Sequence, residues 1–566
     1  MKGKKLIPLL LASAMVILPL AACSGGGTTS SAPAGSTAAS STASTAAASS
    51  QAGEVQPADN GKVNPTGLPI VNEPTTLHIM LNKQVTDLTN SWNEKEAVKR
   101  AVEDTGLTFE FTEVSYTAWA EQIGVTLASG SLPDIILYSI NNFPAYKDSF
   151  LPLNDLLEQY APNTLAFYSK YPEMRVAGTM EDGQLYSLPL LQQRGTYSNG
   201  IGWSINQKWL DNVGMEIPTT TDELYAVLKA FKEQDANGNG DPNDELPISF
   251  QASTTNAADR EAHGLNMLMA SFGIVSRDYV QIEDDTVIFA PTDPRYREFL
   301  EYTNKLYTEG LIDPDGFVQQ TADFLAKGKA GLIGLFAHHS YADITVGPES
   351  FMDYVAMLPM KDSSGNIKVH SSNFNGDFTY DMFKVCKGTE NAEAAVRFYD
   401  YIQGDEDVLN LWSWGPEGLV YTVADDGKYD RVTEFAEGIS NFAYARQTYG
   451  AGMAGPWIYP FEMYDRWRNQ PRDEKLWERE ELYKPYFATM IPAGIDTQEV
   501  VERRNEQFIE INTYVQNFTA ESIMKGIDDS KWATHLSNCE KLKVAQYTED
   551  YQNFYNEKSA LLNSLK

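Results

Sequence analysis

Cysteine is nearly absent from this chain: three residues in 566, at Cys23, Cys386 and Cys539. A disulfide-stapled scaffold is excluded, because two body cysteines so far apart set no framework. They read as two separate thiols, with a bridge between them left open. Basic residues are scarce as well, 44 Lys and Arg against 77 Asp and Glu, for a net charge of −33. A chain this acidic repels phosphate backbones, which sets nucleic acid aside as a partner. Beyond the first 20 residues no apolar run reaches the length of a spanning helix. Catalytic signatures are missing: no GxSxG elbow, no P-loop, no CxxC and no GxGxxG after a strand. Histidine is rare, six in all, and the adjacent pair His338–His339 has neither an HExxH spacing nor a companion carboxylate.

What is present begins with an address. "MKGKKLIPLLLASAMVILPLAAC" joins Lys2, Lys4 and Lys5 to an apolar run from Leu6 to Leu20, then Ala21, Ala22 and Cys23. The run is too short to span a bilayer, so 1–22 reads as a signal peptide. "LAAC" resembles a bacterial lipobox, which implies that Cys23 takes the lipid and becomes the mature N-terminus. Residues 23–63 are a Ser/Thr/Ala/Gly tether with no apolar periodicity. Such a composition buries too little surface to offset ordering, and ~35 flexible residues reach roughly 30–35 Å. The expected location is therefore the extracellular face of the cell membrane, held by a lipid anchor.

The body opens with alternating elements. "TTLHIMLNK" reads as a strand and "EKEAVKRAVEDTG" as a helix closed by Gly106. "LTFEFTEV" is a second strand, "YTAWAEQIGVTLASG" a second helix, and "PDIILYSI" a short apolar strand suited to a covered parallel sheet. This is an α/β doubly wound pattern. After residue 195 the alternation loosens. "TTDELYAVLKAFKEQD" starts with a capping pattern, "PRYREFLEYTNKLYTEG" and "NAEAAVRFYDYIQGDE" are amphipathic helices, and "AKGKAGLIGLF" reads as a basic turn followed by a strand. From about 496 onward the pattern is helical.

In order along the chain, "VNPTGLPIVNEPTTL", "TLASGSLPDIILYS", "GQLYSLPL", "SINQKWLDNVGMEIPTTTDELYAVLKAFKEQDANGNG", "LYTEGLIDPD", "WSWGPEGLVYT" and "AESIMKGIDDSKWATHL" resemble phrases of one family. It is the extracellular solute-binding proteins of ABC importers, in the clade related to maltose-binding protein. The resemblance implies an α/β, two-lobe periplasmic-binding-protein type II fold with hinge crossovers and a helical C-terminal region. Carried over, 64–190 and 360–412 form the N-terminal lobe, and 195–357 and 421–566 the C-terminal lobe. Crossings then fall near 187–195, 357–365 and Trp412 to Tyr421. The implied function is capture of a solute, an oligosaccharide first, in the cleft between lobes. Delivery would be to the transmembrane subunits of an ABC permease, by a monomer that is not an enzyme. Two other readings stand beside it: a surface glycoside hydrolase, and a binder of a non-sugar solute such as a peptide.

Sugar rings stack on aromatic faces while carboxylates and amides take the hydroxyls. Aromatic and polar residues placed where the family has cleft loops are Asn90, Trp92, Tyr116, Trp119, Tyr138, Phe336, His338, Tyr341, Trp412, Trp414, Glu417, Tyr449 and Trp457. For any single ring, core packing is at least as good an account. The stretch "DANGNGDPNDE" offers a different chemistry. Asp235, Asn237, Asn239 and Asp241 alternate with Gly238 and Gly240, the layout of an EF-hand-like calcium loop. The Glu expected at position 12 is replaced by Leu246, so Asp244 or Glu245 must close the site. Hard oxygen ligands without His or Cys favour a structural Ca²⁺, and a metal-free polar turn is the plain alternative.

Overall fold

The computed structural model describes residues 61–193, 202–241, 243–251, 265–338, 342–371 and 376–565. The leader, Cys23 and almost all of the tether lie outside the described residues. Fourteen strands occur among those described: β1 (Thr75–Lys83), β2 (Leu107–Ser115), β3 (Ile135–Leu137), β4 (Leu188–Gln193), β5 (Gly202–Asn206), β6 (Leu246–Ile248), β7 (Val280–Glu283), β8 (Thr286–Phe289), β9 (Ile333–His338), β10 (Tyr354–Met357), β11 (Gly376–Val385), β12 (Tyr421–Val423), β13 (Tyr429–Arg431) and β14 (Ile458–Tyr459).

Two sheets organise the chain. The first runs β14-β4-β11-β3-β1-β2 and the second β10-β5-β9-β6. In the first, β1 pairs parallel with both β2 and β3. The connecting helices Glu96–Thr105 and Trp119–Ser129 end at Gly106 and Gly130 and turn their apolar residues toward the sheet. Ala97, Val98 and Ala101 pack on one face, and Ile123 and Leu127 on the other. Burial on both faces is why β3 reads Ile-Ile-Leu with no alternation. The α/β wound pattern of the sequence is this sheet.

β11 joins antiparallel to both β3 and β4, and a register shift interrupts its ladder between Thr379 and Phe383. In the second sheet β5 lies between antiparallel neighbours β10 and β9, and β6 runs parallel to β9. Each sheet has its own apolar core. The first gathers residues from Val63 to Leu191 and again from Met382 to Trp467. The second gathers Trp203 to Met360 and Ile491 to Phe554. The chain thus folds as two α/β lobes that share its length in alternating segments.

Two sequence expectations need correction. Residues 421–566 do not stay together in the second lobe. Tyr421, Tyr429, Trp457, Ile458, Tyr459 and Trp467 are buried in the first core, and β14 extends the first sheet beside β4. The change of lobe lies after Trp467, not near Trp412 to Tyr421. Helix Pro471–Tyr483 already serves the second sheet: Leu476 packs beside Phe336, and the Tyr483 hydroxyl donates to Met357 O at 2.5 Å. Seven buried Trp and Tyr rings between 412 and 467 remove a large apolar area from water in the first core, and this holds the segment there. Likewise the basic stretch before β9 is no turn but the last turn of helix Thr321–Lys329, where Lys327 and Lys329 suit the negative helix end.

The C-terminal helices Gln498–Lys525, Asp529–Lys541 and Val544–Leu565 cover the second core with Ile511, Val515, Phe518, Tyr547 and Phe554. They also reach the first lobe, where buried Lys558 donates to Thr179 O at 3.0 Å and Asn142 donates to Glu502 at 3.2 Å. Cys386 and Cys539 are buried free thiols. Among the described residues no helix is long and apolar enough to cross a membrane.

Candidate functional site

In open wound sheets, ligands lie beyond the carboxyl ends of the strands, where loops leave the sheet in opposite directions. Here those ends are Asn82 to Gln84, Ser115 to Tyr116, and Tyr138. Asn82 is 1% exposed, accepts from Gln84 Nε2 at 2.6 Å, and its own Nδ2 has no hydrogen-bond partner among the described residues. A buried, unused amide donor at a strand end is costly unless something takes it. Tyr116 follows β2 in a single 3-10 turn and is 51% exposed, an open ring at the same edge.

Tyr138 is the pivot of this edge. Its ring packs against the cores on both faces of the sheet, so it sits over the end of β3. It meets Trp119 edge-on at 5.8 Å, and the Gln84 side chain lies beside its hydroxyl. Burial raises the phenol above its ordinary pKa, and the Gln84 contact opposes that. The backbone φ is 128°, a region a tyrosine enters only when its surroundings over-determine it, at about 1–3 kcal/mol. The surroundings are specific. Tyr138 N donates to Met382 O at 2.8 Å, and Tyr138 O accepts from Lys384 Nζ at 2.7 Å. Ser139 Oγ and Ile140 N donate to the Asp381 carboxylate at 3.0 and 2.9 Å.

Tyr116, Trp119 and Tyr138 are therefore brought together, but Trp119 is 6% exposed and donates its indole N–H to Ser139 O, so it backs the site rather than facing it. Other candidates are core. Trp92 is 1% exposed, donates to Asp87 at 3.0 Å and packs on Phe111 and Trp412. Trp412 packs on Phe398, Trp414 on Trp467 at 4.5 Å, and Phe336 on Tyr354 at 5.3 Å. Trp457 is wholly buried and donates to Gly452 O. With no free ring face, these five hold the cores together. Tyr449 is half-buried against the first core, Asn90 is tied to Glu94, and exposed Glu417 accepts from Val423 N. None of these three joins the strand-end cluster. Tyr341 lies outside the described residues, as does the side chain of His338.

The sequence reading missed Asn82, Gln84, Asp381 and Lys384. Signals were present: two amides at the end of an apolar strand, and two charges inside the mostly apolar "FTYDMFKV".

The oxygen-rich loop follows helix Thr221–Glu233, whose start is a complete capping box between Thr220 and Glu223. Gly238 and Gly240 take φ of 73° and 92°, the reversal their positions require. Asp235 Oδ2 accepts from Gly240 N at 2.9 Å, and both Asp244 oxygens accept from the amides of Asn237 and Asn239. Asp241 accepts from Asn243. Asp235 Oδ1 and Glu245 Oε2 are buried with no hydrogen-bond partner among the described residues, and burial raises the Glu245 pKa. Two orphaned carboxylate oxygens in one small loop suit a hard cation. Glu245, 7% exposed and directly before β6, is placed to close such a site better than Asp244, whose oxygens are already used. No three His, Cys, Asp or Glu side chains converge as a ready metal cage among the described residues.

The two wound sheets, each with its own core, define a class: two-lobe α/β proteins. The model of the bacterial extracellular solute-binding proteins matches residues 90–408, more than half of the chain, and the chain belongs to that family. A relative, the fructooligosaccharide ABC transporter substrate-binding protein FusA of Streptococcus pneumoniae serotype 4, is 28% identical over 499 residues, covering 83% of this chain and 88% of that protein. Two solved structures of the S. pneumoniae protein are similar. One is in complex with kestose and the other is an EF-hand mutant in complex with fructo-nystose. Both give a TM-score of 0.67, at 26% and 25% identity, covering 86% of this chain and 100% of theirs.

Proposed function

We propose that this solute-binding protein captures an oligosaccharide at the carboxyl edge of its first sheet and delivers it to the transmembrane subunits of an ABC permease. The observation that carries this is the cluster of Asn82, Gln84, Tyr116 and Tyr138, in which amides and aromatic rims meet as sugar recognition requires. Ligand contacts to both lobes would favour a closed state over an open one, the second lobe moving about the crossings. The S. pneumoniae relative supports the sugar class through its named ligands. The protein works as a monomer, and no catalytic pair is invoked.

Two parts of the reading concern where it is held and what holds its second lobe. Cys23 carries the lipid, so Cys23→Ala releases the protein into the medium while the wild type stays with the membrane. The loop binds one structural Ca²⁺ through Asp235, Asn237, Asn239, the Asp241 carbonyl and Glu245. The ion would bring charge neutralisation to buried carboxylates and take no part in ligand binding. The EF-hand of the S. pneumoniae relative supports this assignment.

Titration calorimetry against fructooligosaccharides from kestose upward, pectic oligosaccharides and short peptides tests the main reading. Binding of at least one glycan without its breakdown is expected. Release of shortened sugars would point to a hydrolase, and binding confined to peptides to a non-sugar carrier; either overturns the proposal.

A further inference from the structure

The strand β11 supplies four polar contacts to the turn at Tyr138, and the Trp119 indole adds one at Ser139 O. Its register shift between Thr379 and Phe383 frees Tyr380 to Met382 from the ladder with β4, at the level of the end of β3. Asp381 then caps Ser139 and Ile140, Met382 O takes the Tyr138 amide, and Lys384 donates to Tyr138 O and to Asp381 O.

Lys384 is an odd residue for this place. It is fully buried, pairs with Ile136 across the β3 ladder, and has an aromatic neighbour, Phe143, 5.6 Å from its amine. Burial pulls its pKa down to about 8. An aliphatic side chain would fill the volume without that desolvation. What an aliphatic residue cannot do is donate to Tyr138 O, the carbonyl that follows the φ of 128°.

We infer that Lys384 and Asp381 are positioning residues that clamp the Tyr138–Ile140 turn and so set the ring of Tyr138 for ligand. The inference deepens the oligosaccharide reading of the same edge and rests on it for its binding half. β11 is also the first strand of the first sheet after the chain leaves the second core at Met360, so the clamp links the turn to an interlobe segment.

The experiment uses the full chain and two readouts. Amide hydrogen exchange without ligand is expected to rise in the segment 135–142 for Lys384→Met and to stay unchanged over 221–233. Calorimetry uses kestose, or whichever panel glycan the wild type binds most tightly. Tyr138→Ala and Lys384→Met should each weaken binding about tenfold, and the double variant should be no worse than about twofold beyond Tyr138→Ala, the non-additivity of residues acting through one another. A merely stabilising lysine gives additive losses instead. If Lys384→Met does not fold, Asp381→Asn replaces it, with exchange at Ile140 as the readout. Unchanged exchange, or additive losses, overturns the inference and leaves the sugar reading standing. A wild type that binds no glycan removes the sugar reading, while the exchange data still decide whether the clamp exists.

Discussion

Replacing Lys95 with Met should destabilise the first lobe severely, and the amount can be worked from its contacts. Lys95 Nζ lies 3.0 Å from Asp87, and both side chains are wholly buried. The same ammonium donates to the carbonyls of Gln447, Thr448 and Gly450 at 2.9, 2.9 and 2.8 Å. One lysine thus staples a late segment of the chain onto helix Glu96–Thr105. Removing it leaves a buried carboxylate without its counter-charge and deprives three carbonyls of a donor. Breaking a buried pair from one side costs about 3–5 kcal/mol. The lower end applies here, for two reasons. Asp87 keeps the Trp92 indole and both donors of Thr89. Burial itself already lowers the Lys95 pKa, so part of the pair's attraction is spent on desolvation. About 3 kcal/mol corresponds to a fall in Tm of roughly 6–12 °C for a lobe of this size. Scanning calorimetry at pH 7 measures it. The double variant Lys95→Met with Asp87→Asn should recover much of the loss, since no unpaired charge remains. A single variant that melts within about 2 °C of the wild type would refute the staple and the estimate built on it.

Further outcomes follow from single contacts. Gly450 and Gly415 approach so closely that a Cβ on Gly450 would meet Gly415 N and Trp414 C at 2.8 Å, so Gly450→Ala should cost about 1–3 kcal/mol in thermal unfolding. Burial, aided by Arg277, lowers the pKa of His370 to about 4 from 6.5. Between those values the unfolded chain binds the extra proton, so stability is full above pH 6.5 and is lost as pH falls toward 4, by no more than about 3 kcal/mol. His370→Gln should flatten the Tm–pH slope over that window, and an unaltered slope would remove His370 as its source. Chelation with EGTA, or Asp235→Ala, should lower Tm while the folded fraction keeps its ligand affinity; a stable Asp235→Ala protein that no longer binds ligand would move the loop into the binding site.

The elements were legible wherever one physical signal dominated. Helix Thr221–Glu233 announces itself by its capping box and its buried stripe of Leu224, Val227, Leu228 and Phe231. The parallel strands announce themselves by β-branched and aromatic runs between helices. The candidate site was legible only in part. Tyr116 and Tyr138 could be picked because the family has cleft loops there, yet Trp92, Trp412, Trp414 and Trp457 were placed by the same resemblance and are core. A large ring is the best available filler for an interior and the best available platform for a sugar, and sequence alone does not separate the two uses. Nor could it show that Asp381 and Lys384 answer Tyr138, because those contacts span more than 240 residues.

By itself the sequence determined the α/β alternation, the acidic and cysteine-poor composition and the oxygen-ligand spacing from Asp235 to Glu245. All of these are local or compositional. The tertiary structure decided which core claims residues 421–467, which rings keep a free face, and which carboxylate oxygens of the loop are left unpartnered. Those depend on burial and on contacts between distant segments, where a side chain's role is set by what packs against it.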